Sequence, residues 1–164
     1  CFSGFSCHFI HSCHAVLPKL MGPDPKAWRG DPAMNYRRQT RTIEISVEPQ
    51  FLAEQSSPDE GVFFWAYTID IRNHGAETVR LRSRYWKITD ANGRVQEVHG
   101  RGVVGEQPVL GSGGHFQYTS GCPLSTPSGI MVGAYTMEGS DGETFDVDIP
   151  AFSLDSPHMR RVLN

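Results

Sequence analysis

From Val62 to Arg72 the side chains alternate without interruption, with Phe63, Trp65, Tyr67, Ile69 and Ile71 on one side and Phe64, Ala66, Thr68 and Asp70 on the other. Successive side chains of a strand point to opposite faces, so this spacing gathers five large apolar groups on one face of a strand and scatters them around a helix. The residue types are also strand-favouring, and the segment reads as a central strand. Thr42 to Val47 repeats the pattern with Ile43, Ile45 and Val47 against Thr42, Glu44 and Ser46. Gln55 to Gly61 separates the two as a loop. Nothing between Met34 and Pro150 sustains a helical period.

The rest of the chain supplies further strands. Asn73-His74-Gly75 reads as a turn, and Val79 and Leu81 open a third strand that Tyr85 to Ile88 either continues or follows after a bend near Ser83. Asn92-Gly93 is a strong hairpin signal, since both residues tolerate the positive φ of a type I′ turn, and it joins Tyr85–Thr89 to Arg94–Val98. Phe116 and Tyr118, Ile130 to Met137, and Glu143 to Ile149 mark three more strands, the last two joined through Gly139 to Gly142. About seven short strands with turns between them predict an all-β, antiparallel sandwich, with a small closed barrel as the alternative.

At 164 residues and a net charge of −3, the chain fits one domain and has no global electrostatic attraction for nucleic acid. No run approaches the ~18 apolar residues of a membrane-spanning helix, so a soluble protein without a membrane partner is expected. Three of the four cysteines lie in the first 13 residues, so the rest of the chain holds a single cysteine, Cys122, and cannot form a disulfide of its own, which favours a reducing, cytoplasmic setting. Residues 1–33 carry Pro18, Pro23, Pro25 and Pro32 without a hydrophobic period and read as a disordered extension before a domain at 34–164, with Met34 as the natural start. Cys7, His8, His11, Cys13 and His14 are zinc-ligand types, yet their spacing matches no paired CxxC or CxxH design, and an incidental cluster is the plainer reading.

His99-Gly100-Arg101-Gly102-Val103-Val104-Gly105 contains a GxGxxG pattern. Glycines in this arrangement let backbone N–H groups close around a pyrophosphate when a helix follows. Here Glu106-Gln107-Pro108 and then Leu110-Gly111-Ser112-Gly113-Gly114 follow, which excludes a helix N-terminus and with it a Rossmann loop. An anion-binding concavity of backbone amides is one remaining reading. A glycine turn that lets the chain cross between sheets is the other.

Trp65-Ala66-Tyr67-Thr68-Ile69, Arg84 to Asp90, Val98 to Pro108, Tyr118 to Leu124, Thr126-Pro127-Ser128-Gly129 and Ile149 to Asp155 occur in an order that closely resembles the ApaG family, over about Thr40 to Pro157. The resemblance implies an immunoglobulin-like or fibronectin-type-III-like sandwich. It also implies a link to cobalt and magnesium efflux and to diadenosine tetraphosphate metabolism, and a pyrophosphate site at Gly100, Gly102 and Gly105. Arg101 and His99 are the charged groups beside those glycines, and Arg84 is a candidate to reach the same surface.

A transporter needs a membrane path, so any role in metal handling is expected to be indirect. Asp141, Glu143, Asp146 and Asp148 form the one acidic patch suited to Mg²⁺ or Co²⁺, with a solvated face as the plainer reading. No Ser–His–Asp order, paired CxxC or HExxH pattern suggests catalysis, and no catalytic residue is assigned. Tyr85 and Trp86 must point to opposite faces, so at most one is core, and the other is either a candidate interface anchor or covered by a neighbouring loop. The expectation is a non-catalytic binding or adaptor module. Its candidate partners are a nucleotide or pyrophosphate, a protein, or a second copy of the chain as a homodimer.

Overall fold

The computed structural model describes residues 36–157, and the readings made for residues 1–33 lie outside them. Two antiparallel sheets face each other. The first runs β1 (Tyr36–Thr40), β2 (Ile43–Phe51), β3 (Phe63–Asn73) and then β7 (His115–Leu124). The second runs β5 (Val95–Arg101), β4 (Val79–Asp90), β8 (Ser128–Gly139) and β9 (Thr144–Asp155), with the short β6 (Val109–Leu110) pairing with β4 beyond the end of β5. Among the described residues the only helical turns are two of three residues each, Ala53–Gln55 and Pro58–Glu60. The open sandwich is therefore the arrangement, and the barrel alternative is excluded.

The alternation seen in sequence is the packing. Phe63, Trp65, Tyr67, Ile69 and Ile71 are all buried on the inner face of β3, which sits between β2 and β7 as expected of a central strand. Ile43, Ile45 and Val47 lie on the same inner face in β2, in register with Asn73, Ile71 and Ile69. From the second sheet come Leu81, Trp86, Ile88, Tyr135, Met137 and Phe152. Trp86 is the hub, with ring centroids 5.5 Å from Tyr67 and 6.0 Å from Phe152. Each such side chain stabilises the fold by roughly 1.5–3 kcal/mol when fully buried, which is why the periodic positions dominate the topology.

Four details differ from the pattern read in sequence. The third strand does not break near Ser83: β4 is continuous, and the irregularity is a bulge between Leu81 and Ser83 that puts Arg84, Trp86 and Ile88 on the inner face. The β4–β5 hairpin is closed by Asp90 N–H to Arg94 O (3.0 Å) and Gly93 N–H to Asp90 O (3.0 Å), and only Gly93 has positive φ. It is thus a three-residue loop ending in a left-handed glycine instead of a type I′ turn, because the Asp90 carboxylate accepts from the N–H groups of Asn92 and Arg94 and holds the loop open. β9 continues past Ile149 to Asp155, and β1 precedes the first strand that the alternation reveals.

The β3-to-β4 connection crosses between sheets and is pinned by Asn73. Its buried amide donates to Glu77 O (2.7 Å) and Leu110 O (3.1 Å), and its carbonyl oxygen accepts from Gly75 N–H (2.9 Å). These bonds tie β3, β4 and β6 together at the end of the sandwich from which the glycine run emerges.

Candidate functional site

Gly100 and Arg101 end β5, opposite Arg84 and Ser83 of β4, while His99 lies opposite Tyr85. Directly opposed residues of an antiparallel pair share a face. His99 and Arg101 therefore point outward with Tyr85, and Gly100 points inward with Arg84 and Trp86. The five residues singled out in sequence, His99, Gly100, Arg101, Gly102 and Gly105, do not converge on one pocket: the first and third are exposed, while Gly102 is buried.

Arg84 explains the inner side. Its side chain is buried (7 % exposed), and its Nη1 donates to Gly102 O at 2.7 Å and Arg101 O at 3.2 Å. The guanidinium lies across Gly100, where an added Cβ would sit 2.8–2.9 Å from it. Gly100 has an ordinary φ, so the space taken by Arg84 is what demands glycine there. Arg84 does reach the glycine run, but from beneath and toward carbonyl oxygens, the polarity opposite to an anion's.

The other glycines answer different local demands. At Gly102 φ is +61°, and a Cβ would meet Glu106 O at 2.0 Å. Val103 and Glu106 exchange two backbone hydrogen bonds of 2.8 Å across Val104 (φ 43°) and Gly105 (φ 80°), a tight two-residue hairpin of type I′ character. Gly102 N–H donates to Arg82 O at 2.8 Å, and Gln107 Nε2 donates to the same oxygen at 2.9 Å. Leu81 N–H donates to Pro108 O at 3.0 Å. The run thus wraps the β4 bulge at Arg82, and the amides of Gly102, Val103 and Glu106 are bound within the protein.

Below the loop, Tyr118 of β7 and Tyr135 of β8 join hydroxyls across the core. Burial pushes both phenols well above the ordinary tyrosine range, partly offset by the nearby Arg84 charge. On the outer side, Tyr85 is half-buried with its ring centroid 4.8 Å from that of His99, and its hydroxyl donates to Glu97. That carboxylate raises the Tyr85 pKa and places negative charge in the row between His99 and Lys87. Trp86, only 2 % exposed, is the core member of the Tyr85–Trp86 pair.

Elsewhere the acidic groups are engaged. Asp148 pairs with Arg38 (2.8 Å), Glu143 with Arg41 (3.4 Å), Asp146 accepts from Thr136 (2.8 Å), and Asp141 caps the turn through Glu143 N–H (2.9 Å). Among the described residues no three His, Cys, Asp or Glu side chains come together as a metal site. Cys122 is buried in the core, opposite Trp65 in the β3–β7 register. Sequence reasoning passed over a cleft of about 520 Å³ on the outer face of the first sheet, lined by Arg37, Glu44, Asp70, Arg72 and His74. Most of its charges face one another, Arg72 with Asp70 at 2.8 Å and Arg37 with Glu44 at 3.8 Å, with His74 Nε2 3.6 Å from Glu44, while Glu48 lines the cleft as well. No helix among the described residues is long and apolar enough to cross a membrane.

Comparison with known proteins gives a consistent picture. A family model described as the ApaG domain matches residues 53–139. Protein ApaG of Brucella anthropi is 63% identical over 129 residues, covering 79% of this chain and 99% of that protein. Protein ApaG of Bradyrhizobium sp. is 64% identical with the same coverage. Among solved structures, that of a protein described as ApaA from Bordetella pertussis superposes with a TM-score of 0.69 at 47% identity, covering 71% of this chain and 95% of that one.

Proposed function

The chain belongs to the ApaG family, and from that premise we propose that it is a non-catalytic binding module that engages a protein partner, with its glycine run serving as structural scaffold. One observation carries the reading: the Arg84 guanidinium occupies the space at Gly100 and holds the carbonyls of Arg101 and Gly102 inward. A phosphate cradle needs several amides directed at one external point. In this loop the amides of Gly102, Val103 and Glu106 are committed to Arg82 and to each other. The group available for contact is instead the outer surface at Tyr85 and His99, an aromatic with a polar tip beside charged neighbours, the composition that protein interfaces favour. Any part in cobalt or magnesium tolerance, or in diadenosine tetraphosphate metabolism, is then exercised through that partner as an adaptor.

The rival reading places pyrophosphate against His99, Gly100, Arg101, Gly102 and Gly105, and it draws on the exposed Arg101 and His99. The two are separated by titrating the full chain with diadenosine tetraphosphate, ATP and pyrophosphate, with and without Mg²⁺, while following backbone amide shifts. The scaffold reading predicts no saturable shifts across Gly100 to Gly105 up to millimolar ligand. Saturable shifts centred there overturn it.

A further inference from the structure

The sandwich has four sheet edges, and three are guarded. β1 and β9 lie against one another, joined by Tyr36 Oη to Ser153 Oγ (2.9 Å) and Arg38 to Asp148 (2.8 Å). On β7, Pro123 stands opposite Phe64, whose own N–H and C=O go to Ser56 and Leu52. That pair is therefore one without mutual hydrogen bonds, and Pro123 turns its nitrogen, which carries no hydrogen, to the outer edge. A proline so placed blocks the addition of another strand. β5 has neither proline nor bulge, and among the described residues no strand pairs with its far side.

The hydrogen-bond parity of β5 can be fixed from its two ends. Arg94 O accepts from Asp90 N–H, and Gly102 N–H donates to Arg82 O, so the even-numbered residues turn their backbone groups toward β4. Val95, Glu97, His99 and Arg101 consequently turn theirs to the open edge, and all four side chains are exposed. We propose that this edge pairs antiparallel with β5 of a second copy of the chain, about a two-fold axis at His99, so that the two five-stranded sheets become one.

The choice of a second copy rests on charge. With the axis at His99, Glu97 of each copy stands opposite Arg101 of the other, giving two opposite-charge pairs on the same outer face. An axis at Glu97 sets carboxylate against carboxylate, and one at Val98 leaves Arg101 against Val95. Opposite charges across strands stabilise pairing and like charges oppose it; the axis at Val98 does set Glu97 against His99, yet of the three registers only the axis at His99 pairs both Glu97 and Arg101 with a full opposite charge. The contact is short, and the association is correspondingly weak and concentration-dependent. It is made through the backbone edge of β5, beside the outer surface at Tyr85 and with His99 common to both, and its test reads self-association alone, so its failure leaves the partner reading standing.

Sedimentation equilibrium of the full chain up to about 1 mM tests it, that being the weak limit of specific association. Reversible dimerisation is expected. Glu97→Arg and Arg101→Glu should each weaken it at least tenfold, and the double variant should recover to near the starting affinity. His99→Pro removes an N–H directed at the open edge, so it should abolish the dimer while circular dichroism shows an intact fold. A chain that stays monomeric at the highest concentration overturns the proposal, as does a dimer that survives His99→Pro in a folded protein or that the double charge exchange fails to restore.

Discussion

Two regions of this sandwich are held together by opposite means. Where β1 meets β9, exposed side chains do the joining: Arg38 and Asp148 are each more than half exposed, as are Arg41 and Glu143. Where β4 passes beneath the glycine run, a single buried arginine holds two carbonyls, and glycines make room for it. The ion pairs of the first tolerate change because water can replace what they lose. The second does not, since Arg84, Gly100 and Gly102 are packed against neighbours that have no alternative partner in solvent.

The contrast is sharpest at Gly102. A side chain there meets Glu106 O at 2.0 Å on a backbone already at positive φ, so Gly102→Val should cost more than about 4 kcal/mol, at the level that unfolds a marginal domain, and be seen as loss of the cooperative melt. Gly105, with φ +80° but open space around its Cα, offers the control: Gly105→Ala should cost only about 1 kcal/mol in the same melt. A reversed order would mean that the loop is not wrapped as described.

Alkaline pH attacks the buried side from within. Tyr118 and Tyr135 have raised pKa values in the folded chain because they are buried, so they stay protonated while tyrosines of the unfolded chain ionise above the ordinary value of 10.0. The folded state then binds more protons, and stability, fully present below pH 10, falls as pH rises beyond it. For two such groups the slope approaches about 2.7 kcal/mol per pH unit in denaturant melts. Tyr135→Phe should reduce that slope by roughly half, to about 1.4 kcal/mol per unit. At the exposed seam, Arg38→Ala should cost less than about 1 kcal/mol, and that loss should shrink in high salt.

How far this division was legible in sequence depends on periodicity. The inner faces of β2 and β3 were, since Ile43, Ile45 and Val47 and the run from Phe63 to Ile71 alternate and are buried as read. β1 was not, because Arg37, Arg38 and Gln39 are exposed and only its ends, Tyr36 and Thr40, are partly buried, which leaves no apolar alternation to read. The two-residue β6 is too short to carry a period. Arg84 did leave a signal: it shares parity with Trp86 and Ile88, which marks the core face. Its charge argued for the surface, and only the carbonyls of Arg101 and Gly102, brought over it by a bulge at Arg82, make burial tolerable. Likewise the Asn92-Gly93 turn was placed correctly but not its type, which the Asp90 side chain decides.

The central claim is that Gly100 is glycine for the sake of Arg84. A double-mutant cycle reads it directly through unfolding free energies of Gly100→Ala, Arg84→Met and the combined variant. Methionine lacks the guanidinium atoms that a Cβ at Gly100 would strike. Gly100→Ala should cost about 2 kcal/mol in the original chain and under about 0.5 kcal/mol beside Arg84→Met, a coupling typical of residues in contact. An equal cost in both backgrounds would contradict the account and return Gly100 to a role facing outward.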